Sequence, residues 1–191
     1  DCGYVTVPDV YTGDSQRDIR LGIVRLNAVS ENPGSPLFML MGGPGQSIAT
    51  FLETLPVSIA AERAAAPDGP AAFSRILENH DIVFMAQRGT EFTEPFLTCP
   101  ELISLPFTAY EQQLDADEQS ALTTQTLQTC IDRFTAAGVD FNAYNNEANA
   151  ADVNSVRAAL GYERIIYYGV SYGAQLGQFV MRDFPEILEG V

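Results

Sequence analysis

The stretch Ile165-Ile166-Tyr167-Tyr168-Gly169-Val170-Ser171-Tyr172-Gly173 decides how the rest of the chain reads. Four apolar or aromatic residues run into a serine flanked by glycines, and a helical pattern follows over 174–183. The order is strand, tight turn, helix. Gly169 and Gly173 stand two residues to either side of Ser171. That spacing fits a turn packed so closely that neither position tolerates a side chain. Ser171 is then pushed out of the path of the chain. The start of the following helix brings backbone N–H groups and a positive dipole end beside its hydroxyl. This is the G-x-S-x-G pattern of a nucleophile elbow. With 15 Gly and 10 Ser in 191 residues, chance supplies the pattern about 0.06 times per chain. The bland alternative is an ordinary tight βα turn.

Other short apolar runs surround it. Tyr4–Val7 and Ile19–Val29 read as strands, with Thr12-Gly13-Asp14 as a turn between them. Leu37–Met41 and Ile82–Ala86 are continuous apolar runs like Ile165–Tyr168. Runs of that length fit strands covered on both faces of a parallel sheet. Helical patterns alternate with them. One spans Ala71–Glu78. Another spans Asp152–Leu160, with Val153, Val156, Ala159 and Leu160 on one face and Gly161 as its stop. The expected class is α/β with a mostly parallel sheet and helices on both faces.

The stretch 90–148 breaks this rhythm. It is punctuated by proline as far as Pro106, then polar and helix-prone from Tyr110 to Ala137. We read it as a polar helical insertion within one domain. Asp115, Asp117 and Glu118 lack the glycine of a calcium-binding loop and read as a solvated helix start. Cys99 and Cys130 flank this helical segment. They are expected to staple it as a disulfide, the alternative being two buried thiols. Cys2 is left over, its partner expected outside these 191 residues.

Composition removes several chemistries. The chain carries 10 basic and 25 acidic side chains, net −15, and every basic residue is arginine. Without lysine there is no phosphate loop, Schiff base or Ser–Lys dyad. The single histidine, His80, cannot supply a His-Glu-x-x-His zinc site. No metal or cofactor is expected. A strongly acidic chain offers no basic face to nucleic acid or an anionic membrane. No apolar run is long enough to span a bilayer.

A second motif follows the run Leu37–Met41: Gly42-Gly43-Pro44-Gly45-Gln46-Ser47. A glycine-rich loop after a buried strand can bring bare backbone N–H groups to a reacting oxygen. In acyl transfer it supplies one oxyanion donor, and the residue after the nucleophile supplies the other. Here those donors are the N–H groups of Gly43 and Tyr172.

At these residues the chain resembles the α/β-hydrolase superfamily, and within it the proline iminopeptidase and tripeptidyl aminopeptidase family of serine peptidases. Cys2-Gly3-Tyr4-Val5-Thr6-Val7-Pro8 resembles the family's first strand. Gly42-Gly43-Pro44-Gly45 resembles its oxyanion loop, and Gln87-Arg88-Gly89-Thr90 its D-Q-R-G-T-G loop. Asp152 to Gly161, then Gly169 to Gly173, resemble its D-x-x-x-x-R-x-x-L-G helix and elbow. The chain departs from the pattern at Ala86 (Asp in the family), Gln46 (Gly) and Glu91 (Gly). These departures bear on the oxyanion loop and leave Ser171 untouched. The resemblance implies a serine exopeptidase acting on peptide N-termini. The alternatives are an esterase taking a small ester, or a non-catalytic binding or assembly piece. It also implies a secreted or extracytoplasmic setting. An exopeptidase needs an anion to hold the substrate's ammonium group; Glu91 and Glu94 are candidates for it, the alternative being solvated loop carboxylates.

In this fold the acid and the histidine follow the nucleophile. No histidine follows Ser171. His80 precedes the run Ile82–Ala86, at the opposite end of a parallel sheet from Ser171. Five strand residues separate the two levels by about 16 Å, against about 3 Å for a Ser–His hydrogen bond. Residues 1–191 are therefore expected to be the N-terminal half of a hydrolase whose missing C-terminal half is its partner. The strand Ile165–Tyr168 is expected to be left as an open apolar edge. The helix face Leu176, Phe179 and Val180 is expected to lack cover.

Overall fold

The computed structural model describes residues 1–12, 17–65 and 72–191. The expected turn at Gly13-Asp14 and the expected helix start at Ala71 lie outside them. Strands β1 (Cys2–Pro8), β2 (Asp18–Leu26), β3 (Gly34–Leu40) and β4 (His80–Met85) form where the apolar runs predicted them, with shifted ends. Helices α1 (Ile48–Ala65) and α2 (Ala72–Asn79) lie between β3 and β4. β5 (Thr93–Glu94) and helices α3 (Glu101–Gln112), α4 (Ala116–Ala136) and α5 (Asn146–Ala159) follow, then β6 (Ile165–Gly169), α6 (Tyr172–Asp183) and β7 (Leu188–Gly190).

The sheet order is β1-β2-β4-β3-β6-β7, with β5 beside β2. β1 and β2 run antiparallel, as do β2 and β4; from β4 to β7 all pairs are parallel. The continuous apolar runs follow from cover on both faces. Phe38, Leu40, Val83 and Met85 join the cluster packed on α5 and α6. Their alternates Met39, Met41, Ile82 and Phe84 join the second cluster with Ile48, Phe51 and Leu52 of α1 and Phe73 of α2.

Two expectations need correction. β6 is not an open edge, because Ile165 and Ile166 pair with β7. The last apolar residues, Ile187 and Leu188, return to the sheet to do this. The α6 face is not bare either: Leu176 and Val180 are fully buried and Phe179 packs on the same cluster. Finally, α1 was not singled out, although Ile48, Phe51, Leu52 and Leu55 carry the i, i+3, i+4, i+7 stripe of a covered helix. Pro56 and the exposed Val57 end that stripe early and dilute the signal.

The chain divides into two compact units, residues 1–96 with 143–191, and residues 97–142. The second unit holds α3 and α4. Cys99 and Cys130 are joined as a disulfide within it. Arg133 of α4 donates to the Thr98 carbonyl and Glu101. Asp115 caps α4: its carboxylate accepts from the N–H groups of Asp117 and Glu118, and Glu118 reaches back to the Asp115 N–H.

In the first unit, one buried pair ties distant elements. The side chains of Arg88 and Asp152 are both fully buried. Arg88 Nε and Nη2 donate to the two Asp152 oxygens at 2.8 and 2.7 Å. Nη1 donates to the carbonyls of Asp9 and Ala143, and Nη2 also to that of Pro8. All five guanidinium protons thus have acceptors, the condition under which a buried ion pair is tolerated. The Tyr11 hydroxyl adds a donor to Asp152. Burial pushes the Asp152 carboxyl up from its ordinary value, against the downward pull of Arg88 and Tyr11.

Arg88→Met removes the donor and leaves Asp152 and three carbonyls buried without it. We expect a loss of about 3–5 kcal/mol in urea unfolding. Arg20→Ala, which breaks the exposed pair with Glu94, should cost less than about 1 kcal/mol. Equal losses from the two variants would show that the buried pair has no special weight.

Candidate active site

β6 leads directly to Ser171. The Val170 N–H donates to the Leu40 carbonyl at 3.0 Å, so the chain is held beside β3 to the last residue before the serine. Ser171 then adopts φ 55° and ψ −115°, outside the ordinary regions for a residue with a Cβ. α6 begins at the next residue, and the Ser171 side chain makes no capping hydrogen bond. The residue is exposed.

The glycines have a steric reason. A Cβ on Gly169 would run into the Gly173 carbonyl, and one on Gly173 would run into the Leu40 carbonyl. The first turn of α6 therefore lies against the end of β3 with no space between. A third glycine completes the contact: a Cβ on Gly177 would lie 2.8 Å from the Tyr167 ring. Tyr167 is buried beneath the turn and donates its hydroxyl to the Gly173 carbonyl at 2.6 Å. Burial first, then Tyr172, pushes its phenol well above the ordinary range, which keeps it a donor. The reading of the sequence missed Tyr167 and Gly177. The i, i+4 spacing of Gly173 and Gly177 was the available signal.

The loop after β3 meets the serine. A Cβ on Gly42 would lie 3.0 Å from Ser171 Cβ and 3.4 Å from its Oγ. Gly43 has φ 107°, and a side chain there would meet the Gly45 N–H at 2.7 Å. At the helix start the N–H groups of Gly173 and Ala174 are taken by the carbonyls of Val170 and Ser171. Among the described residues, neither the Gly43 N–H nor the Tyr172 N–H has an intramolecular acceptor. Both therefore keep donor capacity to spare, one next in the chain to Gly42 and the other to Ser171. The Tyr172 side chain is tied back, its hydroxyl donating to Asn146 at 2.7 Å. Gln87, next to Arg88, donates its buried amide to the Met41 carbonyl at 2.8 Å, just before the loop.

No family model matches the chain. It is 28% identical, over 97% of its length, to serine protease Hip1 of Mycobacterium tuberculosis and to the tripeptidyl aminopeptidase of Streptomyces coelicolor. It spans about a third of the length of these curated relatives, 34% and 33%. A probable hydrolytic enzyme from Pseudomonas aeruginosa matches its structure with a TM-score of 0.51 at 13% identity, over 99% of this chain and 39% of that one. The fold is that of the α/β hydrolases.

The remaining candidates sit elsewhere in this α/β-hydrolase sheet and the turn that leads into β5. His80 opens β4 beside Gly34 of β3, and its Nδ1 lies 2.8 Å from the Ser35 carbonyl. Gly42, which abuts Ser171, lies past the other end of β3. Glu94 pairs with Arg20 at 2.8 Å on the β2 side. β5 pairs with β2 on the side away from β1, the side that β4 takes, so it lies two strand positions, about 10 Å, from β6. Glu91 is exposed in the turn before β5. The structure thus sets Gly42 against Ser171, with Gly43 next in the chain and Tyr172 opening α6, and holds His80 at the other end of β3 and β4.

Gly173→Ala should cost about 3 kcal/mol in denaturant unfolding, because its Cβ meets backbone that cannot yield. Gly3→Ala, where a Cβ meets nothing within 4 Å, serves as the control. Unchanged stability of the first variant would mean that the turn is looser than described.

Proposed function

We propose that the protein containing this chain is a serine hydrolase working through an acyl-enzyme on Ser171, and that it is an exopeptidase releasing residues from peptide N-termini. One observation carries the reading: an exposed serine on a strained turn abuts Gly42, and the N–H groups of Gly43 and Tyr172, each next in the chain to one of these two residues, have no intramolecular acceptor among the described residues. That arrangement suits a tetrahedral intermediate, with Ser171 Oγ attacking the carbonyl carbon and the oxyanion received by Gly43 and Tyr172. The peptide substrate is supported by the names of the relatives, a serine protease and a tripeptidyl aminopeptidase. A small ester remains the alternative substrate, since a fold does not choose one.

The base must take the Ser171 proton and return it to the leaving amine. His80, the one histidine, is held at the far end of β3 and β4. We therefore infer that the base and its supporting acid come from polypeptide outside these 191 residues. The third of the relatives' length that the chain spans supports this. By the same reading this chain alone is a catalytically incomplete piece; an extracytoplasmic setting for the complete protein is supported by the Cys99–Cys130 disulfide.

A fluorophosphonate tests the assignment. The isolated chain should label slowly. The complete protein should label rapidly and stoichiometrically on Ser171, and Ser171→Ala should abolish the adduct. Rapid labelling of the isolated chain would place a working base within it, against our reading. No adduct on the complete protein would end the hydrolase assignment and leave a binding role.

Substrate class is tested separately with chromogenic peptides. Free N-termini should be turned over at least about tenfold faster than blocked ones, the weight of one buried charge contact. Equal rates would reject the exopeptidase.

A further inference from the structure

Gln46 stands where the resembling family has a further glycine. Its side chain is exposed, yet it is engaged. The Gly42 N–H donates to Gln46 Oε1 at 3.3 Å, and the Gln46 N–H donates back to the Gly42 carbonyl at 3.3 Å. One residue thus closes on both polar groups of Gly42. The neighbouring carbonyls are held as well: that of Leu40 by the Val170 N–H, and that of Met41 by the Gln87 amide. The carbonyls of Leu40, Met41 and Gly42 and the N–H of Gly42 thus all have partners, while the Gly43 N–H has none among the described residues.

A glycine-rich loop is otherwise free to rotate its peptides. An oxyanion donor is effective only if it is aimed before the charge develops. Gly43 and Gly45 both have positive φ, so their own backbones do little to restrict the loop. The restriction has to come from a contact, and Gln46 supplies the one nearest the donor. A glycine at 46 would have no side-chain acceptor to offer the Gly42 N–H.

We propose that Gln46 is a positioning residue: its clasp on Gly42 orients the Gly43 N–H toward the oxyanion formed at Ser171. This rests on the serine hydrolase reading. Gln46 touches no reacting atom: its side chain holds the Met41–Gly42 peptide through the Gly42 N–H, and its backbone N–H holds the adjoining Gly42–Gly43 peptide through the Gly42 carbonyl. Gln87 braces the same loop from beneath, at Met41.

The test uses Gln46→Met, which keeps length and removes the acceptor, and Gln46→Glu, which keeps an acceptor. Two readouts are taken. The first is the amide spectrum of the 15N-labelled chain. Gln46→Met should shift the Gly42 and Gly43 amide resonances, while Gln46→Glu should leave the Gly42 proton at its hydrogen-bonded position. The second is phosphonylation of Ser171 in the complete protein. Gln46→Met should lower the limiting rate about tenfold, with the half-saturating concentration within about twofold. That is a fraction of the roughly 10²–10³ lost when an oxyanion donor is removed outright. The melting temperature should not move, since the side chain is exposed. A wild-type limiting rate in Gln46→Met, or unmoved Gly42 and Gly43 amides, overturns the proposal. If the wild-type complete protein fails to label, the hydrolase reading falls by itself, and the amide spectrum still decides whether Gln46 holds the loop.

Discussion

The buried pairing of Arg88 with Asp152 is the contact on which the rest of the first unit depends. It gathers three separated stretches: the end of β1 through the Pro8 and Asp9 carbonyls, the loop after β4, and α5. Two opposite charges are taken out of water there, which is unfavourable unless every lone pair and proton finds a partner. The guanidinium meets that demand with five acceptors. The result is directional in a way that an apolar contact is not. α5 can pack on the sheet in one place only, the place where Asp152 faces Arg88, and α6 then packs beside it.

The residue before Arg88 extends the same bracing to the chemistry. Gln87 holds the Met41 carbonyl, and Met41 is the last residue before Gly42. Two adjacent side chains therefore serve different ends, one the scaffold and one the loop. The elbow is fixed from the other direction. Tyr167 supports the first turn of α6 from below, and the Leu40 carbonyl stands where a side chain on Gly173 would go. The unusual backbone of Ser171 persists because its surroundings leave no relaxed alternative.

The second unit follows simpler rules. Its helices start and stop on local signals, with a capping box at Asp115 and Glu118. Its disulfide closes a segment whose helices bury little: among their residues only Cys130 is buried. A cross-link suits such a segment, since it restricts the unfolded chain where apolar burial is scarce.

Much of this was legible in residues 1–191 taken as a string. The apolar runs marked β1, β2, β3, β4 and β6, because a strand covered on both faces must be apolar on both. The glycine spacing around Ser171 and after β3 marked the two turns, because contact that close excludes a Cβ. Local periodicity and single-residue sterics are properties that a sequence carries by itself. It did not disclose that β7 would cover β6, that Tyr167 would support the elbow, or that Gln46 would close on Gly42. Nor did it place Glu94 against Arg20. Each of these depends on which side chains meet across the sheet or around a turn. Only the tertiary structure decided them, because a hydrogen bond or a steric clash is set by ångström distances between groups that the order of residues does not specify.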